Sequence, residues 1–222
     1  MSEPTFLSST RSSYDAVAAD YADANRVSLK DRPVDRALLA SFAELILAAG
    51  GSAVADVGCG PGHVTAHLRH LGLDPVDIDL SPEMIALARR SYPELIFHEG
   101  SMTKLDLPDG SVDGILALYS IIHIPSARLP EVFAEFQRVL SPGGQVLLVF
   151  QVRDEPWQLT EWFDQAVTLE YDRLRAEEVT RLLADVGLTV NVRLLREPDG
   201  IHEKVARAYL MASKGAAELR NH

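Results

Sequence analysis

Ala53-Val54-Ala55-Asp56-Val57-Gly58-Cys59-Gly60-Pro61-Gly62-His63-Val64 is the stretch on which the reading of this chain turns. It opens as a short apolar strand, Ala53 to Val57, broken only by Asp56. It then places glycine at every second position and resumes as a helical pattern in Val64, Leu68 and Leu71. Strand, glycine turn and helix in that order form the context in which a glycine-rich loop holds a nucleotide. Glycine allows a sharp turn and a close ligand approach, because no Cβ stands in the way. The spacing is G-x-G-x-G, whereas a dinucleotide fingerprint reads G-x-G-x-x-G with the pyrophosphate on a helix N-terminus. Asp56 precedes the first glycine by two residues. A carboxylate there faces a cation or an ammonium and repels a phosphate.

The surrounding composition is that of a globular protein. The chain has 222 residues, of which 47% are hydrophobic and 24% charged, enough to bury a sizeable core in one domain. No apolar run approaches the ~18 residues of a membrane span. The first ten residues carry neither a basic start nor an apolar h-region, which argues against secretion and for a cytoplasmic protein. Cys59 is the single cysteine, so an internal disulfide is excluded and a reducing compartment fits. A net charge of −11, with no dense basic cluster, argues against a nucleic-acid substrate.

Taken in order, residues 1–12 read as frayed, and Tyr14 to Asn25 as a helix with Tyr14, Val17 or Ala18, and Tyr21 on one face. Read alone, that stripe fits a core-facing helix. Asp31 to Ala49 is a second helix with Pro33 in its first turn. His63, His67 and His70 share a helix face, yet no carboxylate or cysteine partner makes them a metal site. Pro75 to Asp79 is the second strand, and Ser81 caps the helix that Pro82 begins. Asp79, about twenty residues past the glycine loop, stands where nucleotide-binding α/β folds hold a carboxylate for the ribose hydroxyls. The alternative is a residue that merely ends the strand. Glu94 to His98 is a third strand, and the apolar Gly114 to Leu118 a fourth, covered on both faces. A helix from Ser126 to Leu140 ends at Ser141-Pro142-Gly143-Gly144, and Gln145 to Phe150 is the fifth strand. Residues 151–175 hold both tryptophans in an irregular pattern, which read alone fits a helix over the sheet edge. A helix from Ala176 to Val186 and a closing hairpin, Leu188 to Leu195 with Val205 to Ser213, complete the pattern; His202 and Glu203 at its turn read as solvated.

Several of these runs, at matching distances, resemble the class I S-adenosylmethionine-dependent methyltransferases, and within them the small-molecule branch. The glycine loop with Asp56 resembles that family's first motif, and Asp79-Leu80-Ser81-Pro82-Glu83-Met84 its second. Tyr14, Asp15, Ala18 and Tyr21 match an opening Y-D-x-x-A-x-x-Y, Ser120 and His123 match S-x-x-H, and Leu140, Pro142, Gly143 and Gly144 match L-x-P-G-G. The resemblance spans roughly Tyr14 to Ser213. It implies a three-layer α/β sandwich around a Rossmann-like, mostly parallel seven-stranded sheet, order 3-2-1-4-5-7-6, with an antiparallel last strand. One methyltransferase domain would then cover residues 1–222. Its parts are cofactor-covering helices at 14–49, a core at 53–150, an acceptor-pocket insertion at 151–175, and a C-terminal helix and hairpin at 176–213.

The resemblance also implies site roles. S-adenosylmethionine would be held by Tyr14, Tyr21, Asp56, Gly58, Cys59, Gly60, Asp79, Leu80, Met84, Ser101, Met102, Leu118 and Tyr119, leaving S-adenosylhomocysteine as product. Ser101 departs from the pattern, since the family places an aspartate there for the adenine amino group; a serine accepts the same bond without the charge. His123, beside the sulfonium in the family, would be the general base, its ordinary pKa suiting neutral pH; it could equally brace the loop. His123, Gln151 and Trp157 would meet the acceptor, a small molecule methylated on oxygen or nitrogen, with no resident metal. Three rivals stand beside this reading: a nicotinamide-dependent oxidoreductase, disfavoured by the glycine spacing; a non-methylating binding module; and a cyclase or isomerase that uses the sulfonium as a fixed charge.

Overall fold

The structure is a computed structural model and describes residues 4–25, 29–198 and 203–216. In chain order its elements are α1 (Thr5–Asn25), α2 (Pro33–Ala48), β1 (Ala53–Val57), α3 (His63–His70), β2 (Asp74–Asp79), α4 (Pro82–Ser91), β3 (Phe97–Glu99), β4 (Val112–Leu118), α5 (Leu129–Val139), β5 (Leu140–Gln151), β6 (Trp157–Trp162), β7 (Gln165–Tyr171), α6 (Ala176–Asp185), β8 (Leu188–Arg196) and β9 (Arg207–Lys214). Seven strands form one sheet in the order β3-β2-β1-β4-β5-β9-β8, and β6 and β7 form a second, two-stranded sheet. The main sheet is parallel from β3 to β5, and β9 runs antiparallel between β5 and β8. With the small hairpin set aside, this is the expected order, reversed last strand included.

The sheet is apolar on both faces because helices cover both. Residues of β4 alternate sides. Ile115 and Ala117 join Val132, Phe133 and Phe136 of α5 and Val179 and Leu183 of α6. Leu116 joins Leu39, Phe42 and Ile46 of α2 and Val64 and Leu68 of α3 on the other face. Ile85 and Ala88 of α4 close over Cys59 and Phe97 at the β3 end. At α4, Ser81 accepts a hydrogen bond from the Met84 N–H at 3.1 Å, and Pro82 takes the first turn, as the sequence anticipates.

Four expectations need correction. The N-terminal stretch is helical from Thr5, about nine residues earlier than read. Its serines and threonines are weak helix formers, but tertiary contacts fix them: Leu7 is buried, the Arg11 side chain donates to Leu80 O at 3.2 Å, and Ser13 Oγ accepts from the Thr168 N–H at 2.8 Å. Residues 151–175 are neither irregular nor helical. They form the β6–β7 hairpin, whose turn residues Phe163 and Asp164 both have positive φ, 51° and 59°, a turn normally signalled by asparagine or glycine. The third strand is Phe97–Glu99 instead of Glu94 to His98. Glu203 is paired with Arg196 at 2.7 Å instead of solvated; His202 lies outside the described residues.

Gly114 marks the tightest helix-to-sheet approach. A Cβ built there would stand 2.4 Å from Ile46 Cδ1 and 2.9 Å from Phe42 Cζ. Gly114→Ala is therefore expected to overpack the α2 face and cost about 1–3 kcal/mol. Thermal and denaturant unfolding would read this, and an unchanged midpoint would mean α2 yields freely.

Candidate functional site

The glycine loop is fastened to the end of β2 by its own backbone. The Gly58 N–H donates to Ile78 O at 2.7 Å and the Cys59 N–H to the same oxygen at 3.2 Å. Next, the Gly60 N–H donates to Asp79 Oδ2 at 2.8 Å, while Asp79 Oδ1 accepts from the Ser81 N–H at 2.8 Å. Gly58 has a φ of +82°, and a Cβ there would meet Ser120 Cβ at 2.3 Å. Ser120 holds that place by donating to Val57 O at 2.7 Å. Gly60 also has positive φ, but nothing except the rim of Tyr21, at 4.0 Å, faces its absent Cβ. It leaves the loop open to a ligand.

Above the loop lies a cleft at the carboxyl ends of the parallel strands, the usual ligand position in such sheets. One cavity is lined by Tyr14, Tyr21, Gly58, Gly60, Asp79, Leu80, Met84, Ser101, Met102, Leu118, Tyr119 and His123. A smaller neighbour is lined by Asp56, Cys59, Asn25, Arg32 and His63 among others. All thirteen residues expected to hold the cofactor thus line one of two adjoining cavities. Ser101 Oγ is engaged with Thr103 Oγ1 at 2.9 Å while still facing the cleft. Tyr119 has a φ of 56°, and the guanidiniums of Arg32 and Arg207 lie over its ring, 5.7 and 5.8 Å from its centroid.

Helix α1 roofs this cleft. Tyr14 and Tyr21 meet edge to face, 5.8 Å between centroids, and Trp162 of the hairpin packs on them at 6.0 and 5.4 Å. Asp15 ties α1 to α4, its Oδ1 accepting from Ser81 Oγ at 2.5 Å and from the Glu83 N–H at 3.3 Å. Burial pushes the Tyr14 and Tyr21 hydroxyls above their usual pKa. Burial also raises the Asp79 carboxyl, opposed by the N–H groups of Ser81 and Gly60.

His123 stands on a 3-10 turn, Ile121–His123, just past β4. It lines the first cavity and also a larger one of about 660 Å³, shared with Phe6, Pro156, Trp157, Glu170 and Tyr171. Its Nε2 is 2.8 Å from the Tyr14 hydroxyl and its Nδ1 3.4 Å from Glu170 O. Because the carbonyl only accepts, the proton sits on Nδ1, and Nε2 accepts from Tyr14. Burial lowers the pKa of the imidazole to about 4, so it is neutral at pH 7. Trp157 joins the larger cavity's wall, but Gln151 does not; its Oε1 accepts from Arg153 at 3.2 Å. Arg153 in turn lies over the rings of Trp157 and Tyr171, at 4.6 and 5.0 Å. His63, His67 and His70 do not converge on a cation: among the described residues no group of histidine, cysteine, aspartate or glutamate could hold a metal ion.

Arg32, Asn25, Thr65 and Asp77 belong to this neighbourhood and were not predicted for it, whereas Trp162 lies in the stretch expected to form the acceptor pocket and packs on the roof tyrosines. Asp77 alone carried a signal, as a carboxylate between the apolar Val76 and Ile78 of β2. Arg32 lies just before α2, outside any motif.

Comparison with known proteins agrees with this geometry. Residues 54–144 match the model of a family described as a methyltransferase domain. An uncharacterized methyltransferase of Mycobacterium tuberculosis is 38% identical over 111 residues, 50% of this chain and 44% of that protein. The chain thus spans less than half the length of the curated relatives it first matches. The DhpI-SAH complex aligns with a TM-score of 0.74 and 23% identity, over 96% of this chain and 99% of that one. Magnesium protoporphyrin IX methyltransferase from Synechocystis PCC 6803, solved with bound SAM, aligns with a TM-score of 0.71 and 16% identity, over 97% and 100% of the two chains. At those identities the structures speak for the fold. Glycine loop, strand order and domain match coincide on one segment: residues 54–144 match a methyltransferase domain, and they carry the core of the sheet on which the glycine loop sits.

Proposed function

We propose that the chain transfers a methyl group from S-adenosylmethionine to an oxygen or nitrogen of a small metabolite, releasing S-adenosylhomocysteine. The observation that carries the reading is the position of His123, on the wall common to the motif-lined cavity and the larger one. A donor in the first and an acceptor in the second would meet beside its ring. The bound donor supplies an electrophilic methyl carbon, so what remains for the chain is to align the reactants at ~3–3.5 Å and keep water out.

The residues fit that donor. Asp79 uses one lone pair on each oxygen for backbone N–H groups and keeps others for a ribose diol. Asp56 and Arg32, on one small cavity, offer opposite charges to an amino-acid ammonium and carboxylate. Ser101 and Met102 line the adenine end, and Tyr14, Tyr21 and Trp162 exclude water above. The free space under the tyrosines is about 90 Å³, well below the ~300 Å³ at which small-ligand pockets begin. Helix α1 therefore has to yield for the donor to enter, as lids commonly do. The larger cavity, about 660 Å³ with Phe6, Trp157 and Tyr171 in its wall, suits a small ring-bearing acceptor. His123, held neutral, would take the proton of an acceptor hydroxyl through Nε2 once Tyr14 gives way, or orient an acceptor that is already nucleophilic.

Titration calorimetry with S-adenosylhomocysteine tests the donor site: binding is expected, NAD is expected not to bind, and Asp79→Ala should weaken the homocysteine ligand about 10- to 100-fold. NAD binding in its place would return the chain to the oxidoreductase reading. For the base, a labelled methyl donor and a panel of hydroxyl acceptors compare the protein with His123→Ala. The rate should fall about 100-fold or more with S-adenosylhomocysteine affinity kept. With the pKa of this imidazole near 4, its base form persists through pH 5.5, so no acid limb above that pH should vanish in the variant. An equal rate at every pH removes the base role.

A further inference from the structure

Asp56 and Asp77 are register partners on the neighbouring parallel strands β1 and β2. Their side chains therefore leave the sheet on the same face, from backbones about 4.8 Å apart. Both are buried: Asp56 is 1% exposed and Asp77 0%. Thr65 of α3, itself fully buried, touches both and donates its single hydroxyl proton to Asp56 Oδ2 at 2.9 Å. Neither oxygen of Asp77 has a hydrogen-bond partner. Two ionised carboxylates so placed repel each other, and an ionised Asp77 would be a buried charge with no protein cation beside it. A protonated Asp77 removes both problems, since its O–H finds the Thr65 oxygen as acceptor while Thr65 still donates onward.

The two carboxylates differ in outlook. Asp56 reaches the small cavity beside Gly58 to Pro61, where an amino-acid ammonium fits; Asp77 reaches no cavity described above. The other titratable groups around the pair are Asp79 at the end of β2, the Cys59 thiol in the loop, His63 on α3, Tyr21 on α1, Tyr119 past β4, and Arg32 before α2. Burial raises Asp79 and the thiol and lowers His63, so at neutral pH Arg32 is the one cation among the residues lining the small cavity.

We propose that Asp77 is a positioning residue that keeps one proton buried beside Asp56, leaving Asp56 to present the pair's single negative charge to the cofactor's ammonium, and that cofactor binding is thereby linked to proton release from Asp56 below neutrality. The identity of the ammonium rests on the methyltransferase reading. The proton balance is simple. In mildly acidic solution both groups are acids; binding of the ammonium sends the Asp56 proton to solvent, and the Asp77 proton stays. Burial pushes both carboxyls up, and each carboxylate raises the other. Because the folded value of Asp77 lies above its unfolded value, its stabilising contribution is full below the ordinary carboxylate range and is lost as pH rises through neutral to mildly alkaline.

Calorimetry of S-adenosylhomocysteine binding from pH 5.5 to 9, in buffer pairs of different ionisation enthalpy, reads the linkage. The full chain is expected to bind about tenfold more weakly at pH 6 than at pH 8, releasing close to one proton at pH 6. Asp77→Val, which leaves Thr65 without its donor, should weaken binding about threefold or more. Asp77→Asn, a neutral mimic of the acid, should restore it, with the same pH midpoint. The Asn variant should also melt higher than the wild type at pH 9 and not at pH 6. Asp56→Asn should bind weakly with no proton release. A midpoint that drops by more than a unit in Asp77→Asn would mean that Asp77 is ionised in the native chain and would overturn the proposal, as would release that survives Asp56→Asn. Absence of binding at every pH defeats the methyltransferase reading itself, whereas firm binding with no pH dependence defeats only the role of Asp77.

Discussion

The bond from the Gly60 N–H to Asp79 Oδ2, at 2.8 Å, joins the two pieces of backbone on which everything else in the cleft is measured. It fixes the glycine loop after β1 to the tip of β2, so two separate strands present one continuous rim. Ser81 completes the arrangement: its N–H holds the other oxygen of Asp79, and its hydroxyl caps α4 and meets Asp15. Through Asp15 the same small knot reaches α1 and so sets where Tyr14 and Tyr21 rest. Loop, carboxylate, helix cap and roof are consecutive links of one hydrogen-bonded chain.

Charge is distributed with similar economy. Carboxylates at 56, 77 and 79 lie along two adjacent strands, the first two of them buried, and each has a different remedy. Asp79 is held by backbone N–H groups and Asp56 by a threonine hydroxyl. Asp77 has neither, and a retained proton is the remedy left to it. Such a cluster costs stability, which fits a site arranged for a ligand that brings positive charge of its own.

Much of this was legible in the residues, and the physical reason is locality. The strand, the glycine turn, the Ser81 cap and the second carboxylate are written in contiguous residues, because backbone geometry there depends on near neighbours. Two strongly periodic faces, Leu39–Phe42–Ile46 and Val132–Phe133–Phe136, were equally clear. What the sequence concealed depends on distance along the chain. Thr5 to Ser13 become helical through Leu80 and Thr168, partners far off in sequence. The hairpin kept its alternation, Val167, Leu169 and Tyr171 inward, but Phe163-Asp164 gives no turn signal. Gln151 falls outside the cavity walls because Arg153, two residues on, turns its amide aside. Arg32 and Thr65 belong to the cleft only by folding.

The β6–β7 hairpin has a consequence for how the molecule could change. Its ladder is closed on itself, separate from the seven-stranded sheet, so its residues and length can drift without disturbing the register of the strands that hold the glycine loop. Yet Trp162 leans on both roof tyrosines, and the Thr168 N–H is bonded to α1. A chain that altered the hairpin to suit another acceptor would also alter how firmly its roof closes. On the methyl-transfer reading proposed above, the choice of acceptor and the residence time of the donor would evolve as one trait.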